Sequence, residues 1–304
     1  MLRVADEVAA ALAEARPVVA LESTLLAHGL PEGRNREVAD ELERAVRAAG
    51  AVPATIAVLD GVPRVGLSGA ELDRVCDRRA GLLKLSRRDL GPALALGRSG
   101  ATTVAGTASL AHRAGVGVFA TGGLGGVHRD ASVTWDVSAD LDVLADTPVL
   151  VVCSGVKSVL DVPATLELLE TRSVPVLGYR TERFPAFYLR DSGLEVPWRV
   201  DSPAEAASVV AAHRASVPGS AGVLLVNPVP AEHEMDRYLH DRLLAEGEKA
   251  LRERGVRGKA VTPVLLAHFH EHSGGASLAA NVALVLANAT LAAEVAVALA
   301  APPS

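Results

Sequence analysis

The chain has 304 residues, with 30 Lys+Arg against 36 Asp+Glu, a net charge of −6 and 49% apolar residues. Mild acidity with scattered arginines excludes the basic stripe of a nucleic-acid surface, and no charge run forms a tail or polybasic membrane patch. Two cysteines, Cys76 and Cys153, are too few for a disulfide framework, and acids at Asp6 and Glu7 interrupt any signal peptide, so a reducing, cytoplasmic setting is expected.

Short apolar runs alternate with helical patterns along the chain, which predicts an α/β fold in one domain. Strands are expected at 17–21, 55–59, 82–86, 116–120, 148–153, 174–177 and 223–226. Helices are expected at 4–15, 36–49, 102–114, 138–144, 163–171, 203–212, 232–254 and 277–299. Residues 62–67 pair with 55–59 across Asp60-Gly61, so the central sheet of a three-layer α/β/α sandwich is mixed but mostly parallel. The irregular stretch 179–200, with Phe184 to Tyr188, reads as a packed loop or a lid. Residues 276–300 imitate a membrane span, but Asn281, Asn288 and Glu294 interrupt them; a buried helix, shared with a neighbouring subunit or not, is expected and no membrane. Asn288-Ala-Thr290 spells a glycosylation sequon, which has no meaning without secretion.

The first chemistry-bearing site follows the first strand. Glu22 closes the apolar run Val19-Ala20-Leu21, ahead of Ser23, Thr24 and His28, at the strand edge where α/β proteins bind ligands. A carboxyl group hemmed in by apolar residues has a raised pKa and serves as a general acid; a helix-capping Glu is the alternative. Lys84 lies in a second apolar run, and 101–107 opens a helix with hydroxyls at Thr102 and Thr103, suited to an anion or to ordinary capping.

Gly122-Gly123-Leu124-Gly125-Gly126 follows another strand but fails the dinucleotide pattern, because His128 stands where a glycine is needed. It remains an anion-approaching turn with His128 and Arg129 as donors, or a purely structural turn. Asp136, Asp140 and Asp142 supply the oxygen chemistry of a hard divalent cation, or the acids of a helix's first turn. His268, His270 and His272 alternate but lack the spacing of a helical zinc site.

The sharpest feature is Lys157, which follows Val151-Val152-Cys153 by a few small residues. Desolvation disfavours an ammonium there and frees the amine as a nucleophile toward carbonyl carbon. Only four basic residues are lysines, and Lys249 and Lys259 sit in polar surroundings as surface cations. Alone, each of Lys84 and Lys157 fits a phosphate binder or a snorkelling strand lysine; together they point to imine chemistry on a phosphorylated sugar.

Several blocks then follow one another in a recognisable order: Ala20-Leu-Glu-Ser-Thr24 with His28-Gly29, residues 51–57, Lys84-Leu-Ser-Arg-Arg-Asp89, and residues 119–129. Ser138-Ala-Asp140, residues 153–158, Phe184-Pro-Ala-Phe-Tyr188, Asn227-Pro228 and Ser277-Leu-Ala-Ala-Asn281 complete the series. Over nearly its whole length the chain resembles the pseudouridine-5′-phosphate glycosidase, or indigoidine-synthase-A-like, family. The resemblance implies an enzyme of the lyase class that reversibly converts pseudouridine 5′-phosphate into uracil and ribose 5-phosphate. It implies a homotrimer using one divalent cation per subunit, usually Mn²⁺. It also implies Lys157 as nucleophile, Glu22 as proton donor and Asp136 as metal ligand. Lys84, the Val104 backbone, Ser138, Ala139 and Asp140 fall on substrate-binding positions, and Asn281 lies close to the site. His128 and Thr103, with the helix start at 102–104, are expected to hold the phosphate. A Schiff-base aldolase or lyase acting on another sugar phosphate, and a non-catalytic sugar-phosphate sensor, are the competing readings.

Overall fold

The computed structural model describes residues 1–157, 159–256, 258 and 261–301, so the surface assignment of Lys259 and the last residue of the 153–158 motif lie outside the described residues. Its eleven-stranded sheet runs in the order β1 (Arg3–Val4)-β4-β3-β2-β7-β8-β11-β9-β10, with β6 also pairing β3 and β5 pairing β6. The strands that matter below are β2 (Val18–Leu21), β3 (Val52–Leu59), β5 (Leu83–Leu85), β6 (Gly100–Thr102), β7 (Val118–Ala120), β8 (Leu150–Cys153), β9 (Val176–Tyr179), β10 (Trp198–Val200) and β11 (Val223–Val226). From β3 to β10 the path is parallel throughout; β4 (Val62–Val65) and β6 pair antiparallel with β3. β2, β3, β8 and β11 are buried along their full lengths, as a parallel sheet covered on both faces requires.

Right-handed crossovers assign the helices to faces. α2 (Arg34–Ala48) leads leftward from β2 to β3, and α9 (Pro203–Ser216) leads back from β10 to β11, so both cover one face. α7 (Ala139–Asp146) and α8 (Val162–Thr171) lead rightward from β7 to β8 and β9, and cover the other with α5 (Val104–Ala114). α12 (Ala276–Ala300) packs between α2 and α9 on the first face, against β2, β7 and β8. By length and composition α12 matches a membrane span, but its Leu284, Val285, Ala289, Ala292 and Val295 are buried against the sheet.

Several segments depart from the sequence expectation. Residues 100–102 are a strand, not the start of a helix: Thr102 is fully buried, donates to Ile56 O at 2.8 Å, and leaves Thr103 as the helix cap. α3 (Gly69–Cys76), α4 (Arg87–Ala95) and α11 (Val261–His272) were not separated from their surroundings by periodicity, and α10 starts at Arg237, later than expected, behind the Asp236 cap. The 179–200 stretch is not a lid: Phe184, Phe187 and Tyr188 are buried, Phe187 N–H donates to Ser154 O at 3.0 Å, and the stretch ends in β10. It forms a wall under the glycine turn.

Candidate active site

The strand order turns between β2 and β7, the position where the carboxyl ends of parallel strands splay apart and leave a crevice. A cleft of about 540 Å³ opens there. β2 delivers Glu22, β7 delivers Thr121 and the glycine turn, β8 delivers Lys157, and β5 delivers Lys84. Ser23 locks the first of these in place: its hydroxyl donates to Ile56 O at 2.6 Å and accepts from the Thr102 N–H at 2.9 Å, tying β2, β3 and β6 together.

Lys157 Nζ donates to Gly123 O at 2.7 Å, so the amine is aimed at the cleft from the glycine turn. The backbone that carries it needs a glycine: Gly155 has φ +79°, and its position lies directly against the Pro185 carbonyl. Glu22 keeps a little surface toward the cleft while protein encloses it, and burial raises its carboxyl above the ordinary carboxylate range. The attraction of Lys157 and a hydrogen bond from the Thr121 hydroxyl oppose that rise, and Asp140 adds to it. The result is a buried acid that keeps its proton to higher pH, facing an amine.

Asp140 lines the cleft and also braces its backbone. It is buried, its Oδ2 accepts from Gly125 N–H at 2.8 Å and its Oδ1 from Ala105 N–H at 2.9 Å. One carboxylate thereby clamps the glycine turn to the N-terminus of α5. Gly125 must be glycine for this approach, because a Cβ there would lie 2.7 Å from Ser138 Cβ and 2.8 Å from Asp140 Oδ2. Asp140→Asn presents an amide N–H to one of these donors and is expected to destabilise the protein by about 1–3 kcal/mol, measured by chemical denaturation.

The glycine turn is therefore not an open anion cradle. Leu124 N–H bonds to Gly155 O, Val127 N–H to Thr165 Oγ1 and His128 N–H to Asp136 O. Thr103 Oγ1 accepts from Gly106 N–H at 3.4 Å as the cap of α5, which sets the Val104 backbone at the cleft beside Lys84. Ser138 caps α7 through Asp140 N–H at 3.2 Å, and Ala139 follows it along the lining.

The three acids do not converge. Asp136 lines the cleft with His128 Nε2 3.7 Å from its Oδ2, Asp140 is committed to backbone, and Asp142 points outward to Arg172 at 3.0 Å. Among the described residues no three His, Cys, Asp or Glu side chains gather around one point. A protein-only metal cage is absent there, whereas a hard cation retaining most of its waters needs only one such carboxylate. The histidines of α11 lie on helical spacing: His268 stacks on His272 with centroids 4.3 Å apart, and His270 bridges Ser277 and Gly29 O.

Asn281 is buried at the cleft in the first turns of α12, and neither its Nδ2 nor its Oδ1 has a hydrogen-bond partner among the described residues. Thr24 Oγ1 and His28 Nε2, in the same lining, are also buried with no partner among the described residues. Burial, with Arg78 and Lys84 nearby, lowers the His28 pKa, while its ring is bonded to the Leu83 backbone. Thr24 and His28 were not singled out from the sequence as binding groups; their spacing of four residues, on one turn after Glu22, was the available signal. Buried polar atoms are normally hydrogen-bonded, which marks this part of the lining as suited to a polar group.

A family model described as indigoidine synthase A like protein matches residues 7–298. A pseudouridine-5′-phosphate glycosidase of Streptomyces griseus is 58% identical over 295 residues, spanning 97% of this chain and 91% of that protein. A protein of the same name from Salinispora tropica is 56% identical over 300 residues, spanning 99% and 92%. Among solved structures, the prealnumycin C-glycosynthase AlnA in complex with ribulose 5-phosphate superposes with a TM-score of 0.91 at 43% identity, over 99% of this chain and 97% of that one. An indigoidine synthase A-like protein from Thermotoga maritima gives 0.89 at 36% identity with the same coverage.

Proposed function

The chain belongs to the indigoidine synthase A-like family of pseudouridine-5′-phosphate glycosidases, and we propose that it reversibly cleaves pseudouridine 5′-phosphate to uracil and ribose 5-phosphate. The observation that carries the mechanism is the pairing of a buried acid just past β2 with a lysine beyond β8 across one cleft.

An N-glycosidic bond breaks to an oxocarbenium-like sugar and a stabilised base, for which carboxylates suffice. A C–C bond would expel a poor carbanion, so the sugar is first opened as an amine adduct whose nitrogen lone pair can drive the cleavage. In this reading Lys157 attacks C1′ as its neutral amine while Glu22 gives its proton to the ring oxygen, which leaves as the 4′-hydroxyl. The adduct nitrogen returns a proton to Glu22, and its lone pair then forms C1′=N as the C1′–C5 bond breaks. Uracil C5 takes the bonding pair and the proton from Glu22. Water hydrolyses the imine and releases ribose 5-phosphate and the free lysine. Lys84 and the Val104 N–H hold the phosphate, with His128 and Ser138 beside them, and Asn281 offers its amide to the base. Asp136 would hold Mn²⁺ through one carboxylate with waters in the other positions, and the cation would supply positive charge and ordered water near the base. The family resemblance supports a homotrimer, and two buried free cysteines agree with a cytoplasmic setting.

Turnover of pseudouridine 5′-phosphate, assayed with and without added Mn²⁺, tests the reaction and its metal together. Borohydride with ribose 5-phosphate is expected to fix a sugar adduct on Lys157; mass spectrometry placing it on another residue overturns the assignment. The likeness to a C-glycosynthase solved with ribulose 5-phosphate favours, as a second reading, C–C chemistry on a different sugar phosphate. Uracil-dependent consumption of ribose 5-phosphate separates the two.

A further inference from the structure

α12 is apolar along almost all its length, yet it buries Asn288 completely, two turns beyond Asn281. The Asn288 Nδ2 donates to Thr121 O at 2.9 Å and Ser154 Oγ at 3.1 Å, and its Oδ1 accepts from Asn227 Nδ2 at 3.1 Å. Thr121, Ser154 and Asn227 are the first residues past β7, β8 and β11. A single amide therefore fixes the ends of three neighbouring strands.

Those ends carry the site. The Thr121 hydroxyl donates to Glu22 Oε1. Ser154 N–H donates to Gly122 O at 2.9 Å, beside the Gly123 carbonyl that receives Lys157. A leucine would fill this helix position without burying any polar atom, so packing alone does not account for the amide; its satisfied bonds to three strand ends do.

We propose that Asn288 is a positioning residue that sets Thr121 against Glu22 and the glycine turn against Lys157, controlling proton delivery without touching substrate. The inference rests on Glu22 acting as proton donor. The charged groups acting on Glu22 are Lys84 from β5, Lys157 from beyond β8 and Asp140 from α7, with His28, Arg88, Asp89, His128 and Asp136 elsewhere in the lining.

Asn288→Ala, assayed with pseudouridine 5′-phosphate, is expected to lower kcat about 10–100-fold with KM within about threefold of the parent. The alkaline limb of its kcat profile moves to higher pH, because Glu22 loses a hydroxyl bond that favours its charged form. Thr121→Val gives the same displacement, and the double variant moves no further than Thr121→Val alone. Should Asn288→Ala fail to fold, Asn288→Ser and Ser154→Ala carry the same comparison, with a cooperative thermal transition as the control. A folded variant with parental kcat and limb, a loss confined to KM, or additive effects in the double variant overturns the proposal. Undiminished turnover in Glu22→Gln would instead remove the proton-donor reading beneath it.

Discussion

Lys157→Ala is expected to reduce turnover of pseudouridine 5′-phosphate by ~10⁴-fold or more, the scale on which losing a covalent nucleophile acts. Lys157→Arg should be as inactive, although it keeps the charge, because a guanidinium does not give up its proton to form an imine. That pairing separates covalent chemistry from electrostatics: a cation needed only to hold phosphate would be partly replaced by arginine. Both variants should melt close to the parent, since the hydrogen bond given up is the one to Gly123 O at the edge of the cleft. Steady-state rates with a thermal melt check the prediction, and retained activity in either variant would remove the nucleophile role from Lys157.

The second large effect is expected from Glu22→Gln, which keeps the shape and removes the proton. Turnover should fall ~10²–10⁴-fold, the usual contribution of a placed general acid. Stability should move the other way. Folding raises the Glu22 pKa, so its contribution is fully present below the ordinary carboxylate value and is lost as pH rises through the folded-state value. Above that value the parent buries a carboxylate that the variant lacks. Glu22→Gln should therefore melt higher than the parent at pH 8, with the difference closing as the pH falls below about 4, near the unfolded carboxylate pKa. A variant less stable than the parent at pH 8 would contradict the burial argument. The site thus trades stability for an acid that holds its proton.

Glu22, Lys84 and Lys157 were legible in the sequence because each interrupts or follows an apolar run, and a charge at such a place invites an explanation. The parallel core was legible for the same reason: strands covered on both faces read as short unbroken apolar stretches. β6 was hidden because three small residues carry no periodicity and its partner β3 runs antiparallel to it from far away in sequence. The acids after Asp136 were misleading because their spacing of two suits a strand, whereas a helix begins at Ala139 and turns Asp140 inward and Asp142 out. The bracing part of Asp140 was hidden, because the two N–H groups that its oxygens accept come from segments that no linear pattern brings together. In the sequence Asn288 is an interruption of apolarity and part of a sequon; its positioning partners lie at the ends of three separate strands, where no linear pattern shows them.

The interleaving of β2, β7 and β8 has a consequence for how activity returns after denaturation. Glu22 and Lys157 belong to strands that never pair with each other; β7 lies between them, and all three run parallel. Helical content can recover from local contacts, but these pairings close long loops and come slowly. Regained turnover therefore reports completion of long-range topology and should lag behind recovery of helical circular dichroism when the chain is diluted from denaturant.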